Sequence, residues 1–275
     1  MSVPAVRQPA VAGRFYPAKP EALTRKLDEY LVPPAPVSEK TEAALGCVVP
    51  HAGYIYSGHV AGAVYRQLPP RASYLLLCPN HTGRGAPLAV MSSGEWLTPL
   101  GPVAVDAALA QDLRHSCHLL MEDASAHEEE HSLEVQLPFL QRAVGKFNFV
   151  PLAIGVGGYS TLETLGHSIA EALKRLERPV LMIASSDMNH YEPDGITRVK
   201  DRMAIDKILA LDPAGLYDVL RREDISMCGY GPTIIMLTAG KDLGATHAEL
   251  VKYATSADTS GDRSAVVGYA GIIVS

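Results

Sequence analysis

The sequence predicts an α/β/α sandwich built around a mainly parallel or mixed sheet. Two observations carry this expectation. Four short apolar runs, LGCVV at 45–49, SYLLLC at 73–78, FNFVPLAI at 147–154 and VLMIAS at 180–185, are mostly unalternating, as strands buried on both faces of a sheet are. Stretches of helical periodicity lie between them, and strands alternating with helices form layered α/β folds. No Pro- or Gly-rich linker interrupts the pattern, so residues 1–275 are expected to form a single domain.

Taken in chain order, an amphipathic pattern over 21–31 predicts the first helix, and VPPAPVSEKTE after it reads as a Pro-rich polar loop. Helical patterns follow at 58–68, 106–114, 132–144 and 161–176, then at 198–211, 213–221 and 232–241. The last of these carries Pro232 in its first turn, where the missing N–H costs nothing. Two β-like runs, ELVKYATS and SAVVGYAGIIVS, end the chain.

Several function classes are disfavoured. The formal net charge is −6 with no basic stripe, so neither nucleic acid nor an anionic membrane surface is an expected partner. The N-terminal MSVPAVRQPAVAGRFYP has no long apolar run and does not read as a signal peptide. No stretch approaches the ~18 apolar residues of a membrane span, and a soluble cytoplasmic protein is expected. The cysteines, Cys47, Cys78, Cys117 and Cys228, form no CxxC pair, which argues against a disulfide framework or zinc ribbon. Cys47 and Cys78 lie inside apolar runs and read as core residues. Cys117, in HSCHLL, is expected to be partly exposed.

Three of the apolar runs lead straight into polar clusters. VVP precedes His51 in PHAGYIYSG, LLLCPN precedes His81 in PNHTGRG, and MIASS precedes Asp187 and His190 in SSDMNHY. Ligands of open α/β sheets bind outside the carboxyl ends of the strands. A lone strand-end histidine is usually a loop or capping residue. Three of them, on strands that are parallel and adjacent, would converge on one pocket. Cys228, in MCGYGPTIIML, stands just before a helical run, where a helix start favours a thiolate; the alternative is a buried structural thiol. In HEEEHSLEVQLPFL, His127 and His131 have the spacing of the HExxH zinc motif. Acidic residues are favoured at a helix start anyway, so that reading is weak. Ser132 reads as the N-cap, and Glu130 and His131 are candidates to face the same pocket. There is no GxSxG, Walker A or dinucleotide fingerprint, and the glycines of IGVGGYS do not supply one. For Phe15, Tyr16, Tyr54 and Tyr56 the core or a turn is the default, with Tyr54 kept as a possible pocket residue.

In order and over nearly the whole chain, AVAGRFYP, VVPHAGYIYSG, PNHTG, EEEHSLEVQLPFL, SSDMNHY and CGYGP resemble the Memo family, which includes bacterial and archaeal Memo-like proteins. The resemblance implies a fold similar to that of class III extradiol dioxygenases of the LigB type, which are non-haem iron enzymes. It implies metal ligands at His51, His81 and Cys228, with Asp187 and His190 in the same pocket and His190 at the place of the dioxygenases' catalytic histidine. Prokaryotic members are often encoded beside an AMMECR-type protein and a radical-SAM protein, which makes both candidate partners. Class III dioxygenases hold Fe(II) with two histidines and a carboxylate. A thiolate in the third place favours iron, copper or zinc over magnesium or calcium; it puts aromatic ring cleavage in question and leaves redox metal chemistry open. The expectation is therefore an oxidoreductase or dioxygenase-like enzyme using Fe(II) or copper, with His190 as general acid or base and Asp187 orienting an imidazole or polarising a bound water. One rival is a non-catalytic module that binds a phosphopeptide, small anion or partner protein in the same pocket; another is a zinc hydrolase.

Overall fold

In the computed structural model, which describes residues 5–32 and 39–275, one mixed sheet runs through the fold. Its strands in chain order are β1 (Val6–Arg7), β2 (Gly46–Val49), β3 (Ser73–Pro79), β4 (Leu88–Val90), β5 (Glu95–Thr98), β6 (Gly101–Val105), β7 (Met121–Glu122), β8 (Asn148–Ile154), β9 (Val180–Ser185), β10 (His190–Glu192), β11 (Ala248–Thr255) and β12 (Val266–Val274). The sheet order is β1-β5-β6-β8-β3-β9-β2-β12-β10, with β11 also on β12 and β4 on β8. From β6 to β2 every neighbouring pair is parallel. β12 then closes antiparallel on β2.

The helices are α1 (Pro20–Leu31), α2 (Glu39–Glu42), α3 (Tyr54–Tyr65), α4 (Ala107–Ser116), α5 (His131–Glu134), α6 (Leu137–Val144), α7 (Tyr159–Lys174), α8 (Asp194–Leu209), α9 (Pro213–Arg222), α10 (Tyr230–Asp242) and α11 (Ala257–Ser260). They cover both faces of the sheet, and the strands feed two cores in alternation. Val48, Leu75, Leu77, Met182 and Ala184 pack with α4, α7, α8, α9 and α10. Their neighbours Cys47, Val49, Tyr74, Leu76, Leu181 and Ile183 pack with α1, α3 and α6. This two-sided burial is why the central strands carry no polar alternation. The fold is an α/β sandwich, in agreement with the sequence. Among the described residues, no helix is long and apolar enough to cross a membrane.

The differences are local. Residues 33–38 of the expected Pro-rich loop lie outside the described residues, and the end of that segment forms α2. Helix α3 starts at Tyr54, four residues before the expected 58. The helix expected over 132–144 is two, because Pro138 enters the first turn of α6 without an N–H to continue the ladder. Ser132 is not the N-cap: Glu130 is, and its carboxylate accepts from Ser132 N. Cys117 is 3% exposed and packs in the core, so the expected exposure is wrong. The end of α4 turns it inward beside Leu113 and Leu120.

Candidate metal centre

Three adjacent parallel strands position the site. In the order β3-β9-β2 they end at Pro79, Ser185 and Val49, and the chain leaves them towards His81, Asp187 and His51. His190 comes from β10, which pairs antiparallel with β12, so it lies on a strand and not in a loop past β9. Cys228 comes from the segment between α9 and α10, two residues before α10 begins. Gly229 makes its approach possible, since a Cβ there would stand 2.2 Å from Ser185 O and 2.4 Å from Ser186 Cβ. Its N–H donates to Ser186 Oγ at 3.0 Å.

His51, His81, Asp187, His190 and Cys228 all line one cleft of about 720 Å³, with Phe15 and His131. Tyr54 does not line it. Its ring is buried beside Phe139 and its hydroxyl donates to Val135 O, which corrects its place among the pocket candidates. Tyr16 is also buried, its hydroxyl on Glu134 Oε1 at 2.6 Å. Tyr56 is 40% exposed and lines a separate depression. His127 is buried against Trp96, outside the cleft, so the HExxH pair does not converge.

Hydrogen bonds set the ring nitrogens. His81 Nδ1 lies 2.9 Å from Glu130 Oε1, and His81 N donates to Glu130 Oε2 at 2.6 Å. A carboxylate can only accept, so Nδ1 carries the proton and Nε2 keeps its lone pair. His51 Nδ1 lies 2.9 Å from Ser185 Oγ. That hydroxyl already donates to Ser132 O and accepts from Gln136 Nε2, so His51 Nδ1 must be the donor and its Nε2 is also bare. His190 Nδ1 lies 2.9 Å from Ser226 O, a pure acceptor, which again leaves Nε2 unprotonated in the neutral ring. Burial holds His51 well below the usual imidazole range, with the neighbouring His131, His81 and His190 adding to it. Burial lowers His190 as well.

Cys228 Sγ lies 3.2 Å from His51 Nε2. The donor atoms of His51, His81 and Cys228 all fall within 4.8 Å of one another, a spacing that one ion can span. Two nitrogens and a sulfur make a donor set suited to iron, copper or zinc. A second group within that distance is His81, Glu130 and His131, but it shares His81. In the metal-free protein the Cys228 thiol is pushed up by burial and by the Asp187 carboxylate, and this outweighs the N–H donors of Asp187 and Gly229. The expected easing of ionisation by the helix start is therefore overridden. Asp187 Oδ1 accepts from His51 N at 2.8 Å, and burial pushes this carboxyl up to about 7. Glu130 goes the other way: burial raises it, but the His81 ring and Ser132 outweigh that and take it down to about 2.

The orienting residues Ser185, Gln136 and Ser226 escaped the sequence reading. The available signal was a polar residue inside an apolar run, as in MIASS and LEVQLPFL. Equally unseen was a buried ion pair beside the site. Arg7 Nη1 meets Glu134 Oε2 at 2.7 Å, with Arg7 Nη2 on Glu130 O and Arg7 Nε on His127 O.

A family model described as Memo-like protein matches residues 7–273. The chain is 43% identical to a MEMO1 family protein of Methanopyrus kandleri over 277 residues, covering 97% of this chain and 98% of that one. It is 46% identical to one of Methanosarcina barkeri (98% and 100% covered) and 47% identical to one of Ignicoccus hospitalis (97% and 98% covered). Among solved structures, an uncharacterized protein of Escherichia coli K12 superposes with a TM-score of 0.59 at 13% identity, over 83% of this chain and 98% of that one, a likeness of fold alone. The family model spans every residue of the cleft, these relatives match nearly the whole chain, and the chain is a member of the Memo family.

Proposed function

We propose that this protein binds one Fe(II) or copper ion through His51 Nε2, His81 Nε2 and Cys228 Sγ, and acts as an oxidoreductase on a small molecule held in the cleft. The observation that carries the reading is the pair of locked tautomers: both imidazoles have Nδ1 committed elsewhere and present a bare Nε2 beside the same thiol. A carboxylate on the far nitrogen, as Glu130 is on His81, is the usual support of a metal-bound imidazole. A redox ion bound there supplies electron transfer to or from oxygen or an organic substrate. The protein's own groups do the rest. His190, neutral at pH 7 and held by Ser226, offers Nε2 to take a proton from substrate and return it. Asp187 fixes the loop that carries His51. The reading suits a reducing cytoplasm, where Cys228 stays a thiol. AMMECR-type and radical-SAM proteins are partners to test by co-purification.

Metal analysis of anaerobically purified protein, followed by oxygen uptake with catechol-like substrates, tests the proposal. Iron or copper in the wild type, lost from a folded His81→Ala variant, supports it. Full metal content in folded His81→Ala refutes the ligand set. Zinc without oxygen uptake would point to a hydrolase, and no metal at all to a binding module.

A further inference from the structure

A second cavity, of about 480 Å³, adjoins the cleft and shares Ser226 and Cys228 with it. Its volume lies in the roughly 300–1,000 Å³ range of small-molecule sites. Helix α9 and the segment after it supply most of the lining, and Tyr230 at the start of α10 supplies the rest. The Tyr217 and Tyr230 rings stand 6.3 Å apart, tilted by 52°. Leu220, Ile225 and Met227 add apolar surface.

Two opposite charges also line this space, Arg221 and Asp224. Arg221 Cζ lies 5.5 Å from the Tyr217 ring centroid, and its Nη1 makes only a long 3.5 Å contact with Tyr217 Oη. Among the described residues, neither Arg221 nor Asp224 has an ion-pair partner within 4.0 Å. Opposite charges that flank one aromatic cavity without pairing with each other are suited to a ligand that carries both signs.

We infer that this cavity binds a small zwitterion with an aromatic group, of the amino-acid type. Its carboxylate meets Arg221, its ammonium meets Asp224, and its ring packs against Tyr217 and Tyr230. Occupancy is felt in the cleft, because the segment between the two spaces holds the machinery there. Ser226 O accepts from His190 Nδ1, Ser226 Oγ accepts from His190 N, and two residues on Cys228 Sγ faces His51. A ligand packed against Ser226 and Cys228 fixes that segment and shields the thiol.

Calorimetric titration of the full chain with L-phenylalanine, 3-phenylpropionate and phenethylamine tests the assignment. L-Phenylalanine is expected to bind about tenfold more tightly than either single-charge probe, the scale of one charge-assisted contact. Arg221→Ala should bring it down to the level of phenethylamine, and Asp224→Asn to that of 3-phenylpropionate. Saturating L-phenylalanine should also slow alkylation of Cys228. No binding of any probe at millimolar concentration would overturn the inference, as would unchanged affinity in both folded variants. Equal binding of 3-phenylpropionate and L-phenylalanine would overturn the zwitterion assignment. The titration is repeated on chelator-treated protein, so that failure of the metal reading and failure of this one are seen separately.

Discussion

Replacing Glu130 by Gln tests the metal reading at a residue that does not touch the ion. Glu130 is fully buried and its two oxygens accept from four donors: Oε2 from His81 N at 2.6 Å, and Oε1 from His81 Nδ1 at 2.9 Å, Ser132 N at 3.0 Å and Ser132 Oγ at 2.7 Å. A glutamine keeps one oxygen. If that oxygen serves the Oε1 partners, the amide nitrogen faces His81 N–H, donor against donor. The His81 Nδ1 bond also loses its charge assistance, which is about half of its strength. Losing such a partner of a metal-bound imidazole costs about 10–100-fold in affinity, or roughly 1.4–2.7 kcal/mol. The expected outcome is a fall of that size in Fe(II) affinity, measured anaerobically against a competing chelator, together with about 1–3 kcal/mol of lost stability from the unpaired donor. His81→Ala is the reference for complete loss of the ligand. Wild-type affinity in a folded Glu130→Gln protein would refute the argument that this carboxylate sets the His81 nitrogen for metal.

Three further outcomes are expected. Arg7→Met strips the buried Glu134 carboxylate of its cation, which should cost about 3–5 kcal/mol and lower Tm by roughly 10 °C; a loss within about 0.5 kcal/mol of zero, the range of ordinary surface changes, would show the pair to be dispensable. Asp201 is raised to about 7 by burial, so its folded form holds a proton that the unfolded chain has released above pH ~4. The stability this gives is present below the unfolded pKa and lost as pH rises through about 7. Asp201→Asn mimics the protonated acid and should gain on the wild type steadily from pH 4 to pH 8, by at most ~4 kcal/mol; a pH-independent difference in chemical denaturation would exclude this titration. Of the four thiols, Cys47, Cys78 and Cys117 are buried and only Cys228 is partly open. Alkylation followed by mass spectrometry should label Cys228 ahead of the other three in metal-free protein, slowly because burial and Asp187 hold its thiol up, and spare it when Fe(II) or Cu(I) is bound. Equal labelling with metal demonstrably bound would remove the thiol from the ligand set.

The central strands were legible because their burial is two-sided and their composition records it. VLMIAS matches β9 (Val180–Ser185) residue for residue, and FNFVPLAI matches β8 to within one. The short strands were not, because LAV, EWLT and GPVAV carry too few residues to show a period, and β5 and β6 are half-exposed. The placement of His51, His81 and Asp187 followed from strand ends alone. What the sequence could not yield was the wiring behind them. Gln136 reaches Ser185 across 49 positions, and Ser185 reaches His51 across 134. Such contacts depend on sheet order, and no local pattern encodes them. His190 was found for the right cluster but on the wrong element, since β10 forms only against β12 near the far end of the chain.

The acidic run HEEEH shows how one local pattern can hide several tasks. As sequence, its three glutamates look like a helix start softened by the dipole. In the fold two of them, Glu129 and Glu130, take different tasks, and Glu134, just beyond the run, takes a third. Glu129 points outward and pairs with Arg84 at 2.9 Å between two exposed side chains, a contact that contributes little. Glu130 turns inward, caps α5 and sets the tautomer of His81. Glu134, four residues on and so on the same face of the short helix, is buried with it and gathers Arg7, Ala10 N, Val11 N and Tyr16 Oη. That second carboxylate ties the N-terminal segment, including Phe15 at the cleft, to the element that carries Glu130 and His131. The i,i+4 spacing of two buried acids therefore joins the geometry of the candidate metal centre to the anchoring of its wall. A change at Arg7, far in sequence from every candidate ligand, should loosen His81 as well as the fold.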